Sequence, residues 1–183
     1  MWFKTAYNFD KGLGHVKLQN ENSNYIKHDG TLLVNDTTCN LGLFYHTEIA
    51  RLRNKDGYMV VDREGNICSM TEYCQRRLDN GEELRKVFDW VYEENNSFKV
   101  VDLHGLSNFL SNENKLLCND WFRRYNICRN GYAIVQREKD GLYNYIKTDG
   151  TYLSDMWFLD ASPFSRRTGL AQVFLRNGNG NQL

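Results

Sequence analysis

One stretch constrains this chain more than anything else in it, because it occurs once in clean form and three times as an echo. The clean form runs from Asp140 to Phe158. Two acidic-Gly pairs, Asp140-Gly141 and Asp149-Gly150, flank the aromatic and branched run Tyr143 to Ile146. Asp-Gly between apolar runs signals a β-hairpin turn, since Gly accepts φ > 0 without steric cost. The echoes run from Asn24 to Leu33, from Met59 to Ile67 and from Asn108 to Leu117. Anchored on the turn residue, the register positions are Gly30, Gly65, Asn114 and Gly150, at intervals of 35, 49 and 36 residues. Two intervals agree, and the third is one period plus an insertion of about 14 residues. A period of this length means that successive units share a core which none of them could bury alone.

In order along the chain, the units fall at about 1–36, 37–72, 98–120, 121–156 and an incomplete 157–183. Within them, short runs of β-branched and aromatic residues alternate with turn signals. Examples are His28-Asp29-Gly30, Asp56-Gly57, Glu64-Gly65 and a turn near His104-Gly105. Spacing of this kind predicts an all-β meander. Ile26, Val61, Leu110 and Ile146 share one register position and are expected to be buried. The last unit ends in Asn177-Gly178-Asn179-Gly180, which reads as a loop.

Between the second and third copies the period changes from two to 3.6. From Asp79 to Glu93, the apolar residues Leu84, Val87, Phe88 and Val91 stand at i, i+3, i+4 and i+7. Asp79 and Glu82 have the capping-box spacing, and Glu82 and Glu83 lie at the positive end of the helix dipole. These residues predict one inserted α-helix, stopped at Asn95-Asn96, within a helical insertion at 73–96. A helix of about 15 residues is marginal by itself in water, so its apolar stripe must dock on the sheet. Trp90 then lies about 100° round from the stripe, partly exposed, and is the candidate partner contact. The competing reading packs Trp90 along the helix–sheet seam.

The repeated residues resemble the WG-repeat family, also called KWG repeats, whose unit reads roughly Gly-x-Trp/Tyr-Gly-aromatic-Ile-x-x-x-Gly. Gly141-Leu142-Tyr143-Asn144-Tyr145-Ile146 and then Gly150 stand on that pattern, with Asn144 in place of the motif's Gly. Phe164 to Val173 and Phe9 to Val16 look like the family's Phe-x-x-Gly-Leu-Ala-x-Val block. Trp2-Phe3, Trp121-Phe122 and Trp157-Phe158 open units in one phase, with Glu72-Tyr73 at the equivalent place in the second copy. The resemblance implies a mainly β fold of tandem antiparallel hairpin or meander repeats of about 36 residues. It also implies a repeat or interaction module of bacterial or phage origin. Asn24, Asn108 and Asn144 stand where the motif has Gly, so they are expected to hold a left-handed or bulged backbone and to be structural.

Composition narrows the function classes. Formal net charge is zero with a pI near 6.9, which argues against a broad footprint on nucleic acid or anionic lipid. No apolar run approaches membrane-spanning length, and the N-terminus lacks the regions of a signal peptide. Five cysteines, irregularly spaced, fit reduced thiols in a cytosolic setting better than a disulfide frame. His15, His28, His46 and His104 are scattered, and no cysteines pair at metal-ligand spacing, so no metal is expected. The Gly-rich segments precede no phosphate-binding helix, and no cofactor is expected. Asp102, His104, Ser107 and Cys118 can be arranged on paper as a triad, but a triad is a spatial relation. The bland reading places Asp102 and His104 in a hairpin turn. Aromatics at Tyr25, Phe109 and Tyr145, and at Trp2, Trp121 and Trp157, could form a ligand platform, although one large side chain per repeat usually builds the core. The expected function is a non-enzymatic scaffold for a protein partner, without nucleic acid, membrane or small-molecule ligand, in the cytoplasm or a phage particle. The alternatives are a carbohydrate- or cell-surface-binding repeat protein and an enzyme on a β scaffold.

Overall fold

A computed structural model describes residues 2–44, 48–54, 57–94, 98–128 and 131–175. His46, Asp56, Asn95-Asn96 and 177–183 lie outside them. The chain is mainly β, and it divides into two compact units, Met1–Arg76 and Arg77–Leu183.

In the first unit, β1 (Thr5–Asp10), β2 (Leu13–Lys17) and β3 (Ser23–Lys27) form one antiparallel sheet in chain order. A second sheet follows from β4 (Asn40–Leu41), β5 (Ile49–Asn54), β6 (Gly57–Asp62) and β7 (Ile67–Cys68). Leu13, Tyr25, Leu33, Leu52 and Val61 belong to one buried cluster of this unit. Helix α1 (Met70–Asp79) then carries the chain into the second unit, where one helical turn, α2 (Leu84–Val87), precedes a six-stranded meander. Its strands are β8 (Trp90–Glu94), β9 (Phe98–Leu103), β10 (Leu106–Leu110), β11 (Phe122–Ile127), β12 (Tyr132–Arg137) and β13 (Tyr143–Lys147). A small pair, β14 (Asp160–Ala161) with β15 (Val173–Phe174), completes the described chain.

The four segments expected to be copies share their turn geometry. Gly30, Gly65, Asn114 and Gly150 all have positive φ, at 84°, 97°, 60° and 84°. In each copy the amide of that residue donates to the carbonyl three residues earlier: Lys27, Asp62, Ser111 and Lys147. Beyond the turn the chain returns beside its own strand, pairing Ile26 with Leu32, Val61 with Ile67, Leu110 with Leu116 and Ile146 with Tyr152. Val61, Leu110 and Ile146 are buried at that position, whereas Ile26 is only half-buried.

Asn24, Asn108 and Asn144 correct the expectation of a left-handed or bulged backbone. None has positive φ, and each sits in regular register opposite Val16, Val101 and Val135. All three are fully buried. Each side-chain oxygen accepts the amide of the next residue, Tyr25, Phe109 or Tyr145, at 2.7–2.8 Å. Each side-chain amide donates to the carbonyl ten residues on, Val34, Cys118 or Ser154. The returning chain leaves a strand amide with no ladder partner, and a buried backbone donor must be satisfied. Asn supplies the acceptor and clamps the returning segment in the same act.

The second copy has Met59 at this position and Ser69 where the clamped carbonyl would be. There the chain leaves into α1, and the Ser69 hydroxyl accepts the Glu72 amide at 3.1 Å as a helix cap.

The helix expected over Asp79–Glu93 is also corrected. Ser69-x-x-Glu72 is the start signal that operates, and Met70, Tyr73 and Cys74 form the buried stripe of α1. Asp79-Asn80-Gly81, read as a start, is the stop. Gly81 has φ 77°, its amide bonds Leu78 O at 2.9 Å, and the Glu82 amide bonds Arg77 O at 3.1 Å. Glu82 pairs with Arg77 rather than capping a new helix. Val87 and Phe88 are buried as the stripe required, but Phe88 is already extended at φ −117° and ψ 152°. Trp90, Val91 and Tyr92 are aromatic or branched, and pairing with β9 gives their backbone a ladder that a marginal helix could not match.

Candidate functional site

Trp90 stands on a strand, not on a helix, and the strand is an edge. β8 ends the six-stranded sheet and pairs, among the described residues, with β9 alone. Alternation along β8 puts Trp90 and Tyr92 on one face, opposite Asp102 and Val100. The register carries the Trp90 row inward across the sheet, through Asp102 on β9 and Ser107 on β10 to Phe122 on β11. Exposure falls along that row, from 65% at Trp90 to 8% at Ser107 and 0% at Phe122. Trp90 is therefore at the open margin of a buried face, and at that exposure it fills no seam. Tyr92, 40% exposed, lies beside it. Tyr92 is not among the residues that the sequence singles out. The signal was present in the period-two pattern of Trp90-Val91-Tyr92, masked by the 3.6 period of the apolar residues before it.

Behind Trp90 lies a polar seam. His104 (φ 53°) and Gly105 (φ 76°) are the two residues of the β9–β10 hairpin, both left-handed as a type I′ turn requires. The His104 amide donates to Asp89 Oδ2 at 2.6 Å, and the Asp89 amide donates to Asp102 O at 2.9 Å. Asp89 thereby ties the start of the edge strand to the hairpin turn. Burial raises the Asp102 carboxyl above its usual range, while the Ser107 hydroxyl bond opposes the shift and the charge of Asp89 adds to it.

His104 stands in the β9–β10 turn, and Asp102 and Ser107 are paired on the strands either side of it. Ser107 bonds Asp102, and the Cys118 thiol bonds Asn108 Oδ1 and Asp120 O, both at 3.4 Å. Burial pushes that thiol up to about 11, which keeps it protonated and poorly nucleophilic at neutral pH.

The other sequence candidates separate by burial. Tyr25, Phe109 and Tyr145 are core residues, at 7%, 0% and 2% exposure. Trp121 and Trp157 are half-buried, and Trp157 is covered by Tyr152 at 5.0 Å and by the Arg137 guanidinium at 4.0 Å. Trp2 is open at 92%. None of the five cysteines is in a disulfide bond. Among the described residues, no three His, Cys, Asp or Glu side chains are grouped so as to hold a metal ion. No helix among them is long and apolar enough to cross a membrane.

Asp102 gives a pH test. An unfolded aspartate titrates near pH ~4. Because the folded-state value is raised, the charged form destabilises the fold. That penalty is absent below the unfolded value, grows as pH rises to the folded value and persists above it. Asp102→Asn removes the charge and keeps an acceptor for Ser107. Its melting temperature should exceed that of the wild type at neutral pH, with the gap closing as the pH falls to about 4. A lower value at neutral pH would mean that the Ser107 bond outweighs burial.

No family model matches the chain, and no curated protein matches it. Among solved structures it is similar to the AfRom2 CNH domain at 10% identity and a TM-score of 0.27, covering all of this chain and 62% of that one. It is also similar to the computationally designed Ika8 protein at 13% identity and a TM-score of 0.28, covering 95% of this chain and 56% of that one. The chain thus spans less than two thirds of either neighbour. At these scores neither bears on function.

Proposed function

We propose that this chain is a WG-like repeat scaffold without catalytic activity that binds a protein partner along the β8 edge. The observation that carries the reading is the exposed pair Trp90 and Tyr92 on a strand whose outer side is unpaired among the described residues. An open edge offers backbone donors and acceptors to an added strand, while side chains on one face supply specificity. Trp and Tyr are the residues most often found as binding hot spots. The exposed acid Glu93 follows the pair on the same strand, so the partner segment is extended, with an apolar residue for Trp90 and a basic one for Glu93. The five unbridged thiols favour a reducing compartment, which is the cytoplasm, and the resemblance adds a phage particle as a second setting.

Peptides selected from a random display library on the whole protein test this reading. Trp90→Ala should weaken the selected ligands by roughly 30-fold, the loss expected of a hot spot of about 2 kcal/mol, with the melting temperature unchanged. Equal binding by the variant removes the β8 edge from the reading. A glycan array in which binding is lost with Trp90 would instead favour the carbohydrate alternative, to which the Asp102 carboxylate opposite Trp90 also lends support.

A further inference from the structure

The turn shared by the four copies makes a second contact that differs between them. At Gly65 the backbone lies against the Leu33 carbonyl, so close that an added Cβ would stand 2.9 Å from the oxygen. At Gly150 the approach to Leu117 is closer still, with the Leu117 carbonyl carbon 2.9 Å from such a Cβ and the oxygen nearer than that. Leu33 and Leu117 hold the same place in their own copies, one residue past the bridging Leu32 and Leu116. So the turn of a later copy seats twice on the returning segment of an earlier one. The covered leucines are shielded accordingly, Leu33 buried at 6% and Leu117 half-buried.

Each half of this contact also occurs alone. Gly30 has the same φ of 84° as Gly150 and the same Asp-Gly-Thr turn, yet nothing lies within 4 Å of where its Cβ would be. Leu153, one residue past the bridging Tyr152, is 42% exposed, and no turn glycine covers it among the described residues. Met156 beside it is 59% exposed, and Trp2, in the phase of the half-buried Trp121 and Trp157, is 92% exposed. The chain therefore presents an unused seat and an unused turn of matching shape.

We infer that the Gly30 turn of one copy of this protein seats on the Leu153 segment of another, repeating between molecules the contact made within each at Gly65 and Gly150. The two surfaces differ, so the association is head-to-tail. It makes no use of the β8 edge and stands or falls separately from the proposed partner binding there.

Sedimentation velocity on the whole chain tests this, from micromolar to millimolar concentration. The wild-type mass should rise above the 21.5 kDa of one chain as concentration increases. Gly30→Asn should abolish the rise. Asn114 already occupies the equivalent left-handed position in the third copy, so the backbone accepts the change, while the side chain obstructs the seat. Leu153→Glu should abolish it from the other side. Each variant keeps one intact half, so an equal mixture of the two should form a species of twice the single-chain mass that neither forms alone. That complementation also shows that both variants are folded. A wild type that stays at the single-chain mass throughout, or an association indifferent to both substitutions, overturns the proposal.

Discussion

Gly150→Ala should lower the melting temperature by roughly 10 °C or more, which corresponds to a loss of about 4 kcal/mol. Two costs combine. At φ 84° an L side chain adopts the left-handed conformation, at about 1–2 kcal/mol. The new methyl would also overlap the Leu117 carbonyl, with the carbonyl carbon at 2.9 Å and Leu117 Cβ at 3.1 Å. The carbonyl belongs to, and Cβ is fixed directly on, backbone held by the Leu117 amide bond to Phe109 O and by the Asn108 clamp on Cys118, so neither can swing aside as the far end of a flexible side chain would. Gly30→Ala, measured in dilute solution, is the matched control. It has the same turn and the same φ with open space at Cβ, so only the conformational cost of about 1–2 kcal/mol remains. Near-equal losses in the two variants, read from denaturant unfolding, would show that the overlap is relieved at no cost.

Asn144→Ala is expected to cost about 3–4 kcal/mol. The side chain is completely buried and serves three backbone groups. It accepts the Tyr145 amide at 2.8 Å and donates to Ser154 O at 2.7 Å and Met156 O at 3.2 Å. Removing it strands a buried donor and two acceptors, each at about 1–3 kcal/mol if water cannot reach it. Relaxation of the 154–156 segment returns part of that. Asn144→Asp separates hydrogen bonding from volume, because the carboxylate still accepts from Tyr145 but turns an oxygen towards two carbonyls. It should be at least as damaging at neutral pH and should recover in part at acid pH as the carboxyl gains a proton to donate. Urea unfolding of the three proteins at two pH values checks both statements. An alanine variant within about 1 kcal/mol of the wild type would mean that the clamp is dispensable.

Much of the fold was legible in the residues, because local chemistry decides turns. Asp29-Gly30-Thr31 and Asp149-Gly150-Thr151 close in the same way, each aspartate oxygen accepting the amide and the hydroxyl of its threonine. Asn114 takes the left-handed position assigned to it from register alone. Less was legible where two local signals competed. The apolar stripe of Leu84, Val87 and Phe88 was real, but Gly81 ends one helix, and pairing of Trp90 to Glu94 with β9 limits the next to the single turn of α2. Asn24, Asn108 and Asn144 share one register position, as the pattern requires, but their backbone is regular strand and not left-handed. Asn is the side chain best suited to a left-handed backbone when considered alone, and only the returning chain reveals the amide that it must satisfy.

The candidate site followed the same division. Trp90 stood out in the sequence as a large aromatic in the segment that breaks the period, while its exposure and its strand came from pairing with β9. Asp-Gly-Thr at residues 29–31 and 149–151 is enough to specify two left-handed turns of one kind, because the conformation is set from within the tripeptide. That Gly150 presses against the Leu117 carbonyl while Gly30 faces open space follows from packing alone, because the atom that makes the difference lies 33 residues away in the chain.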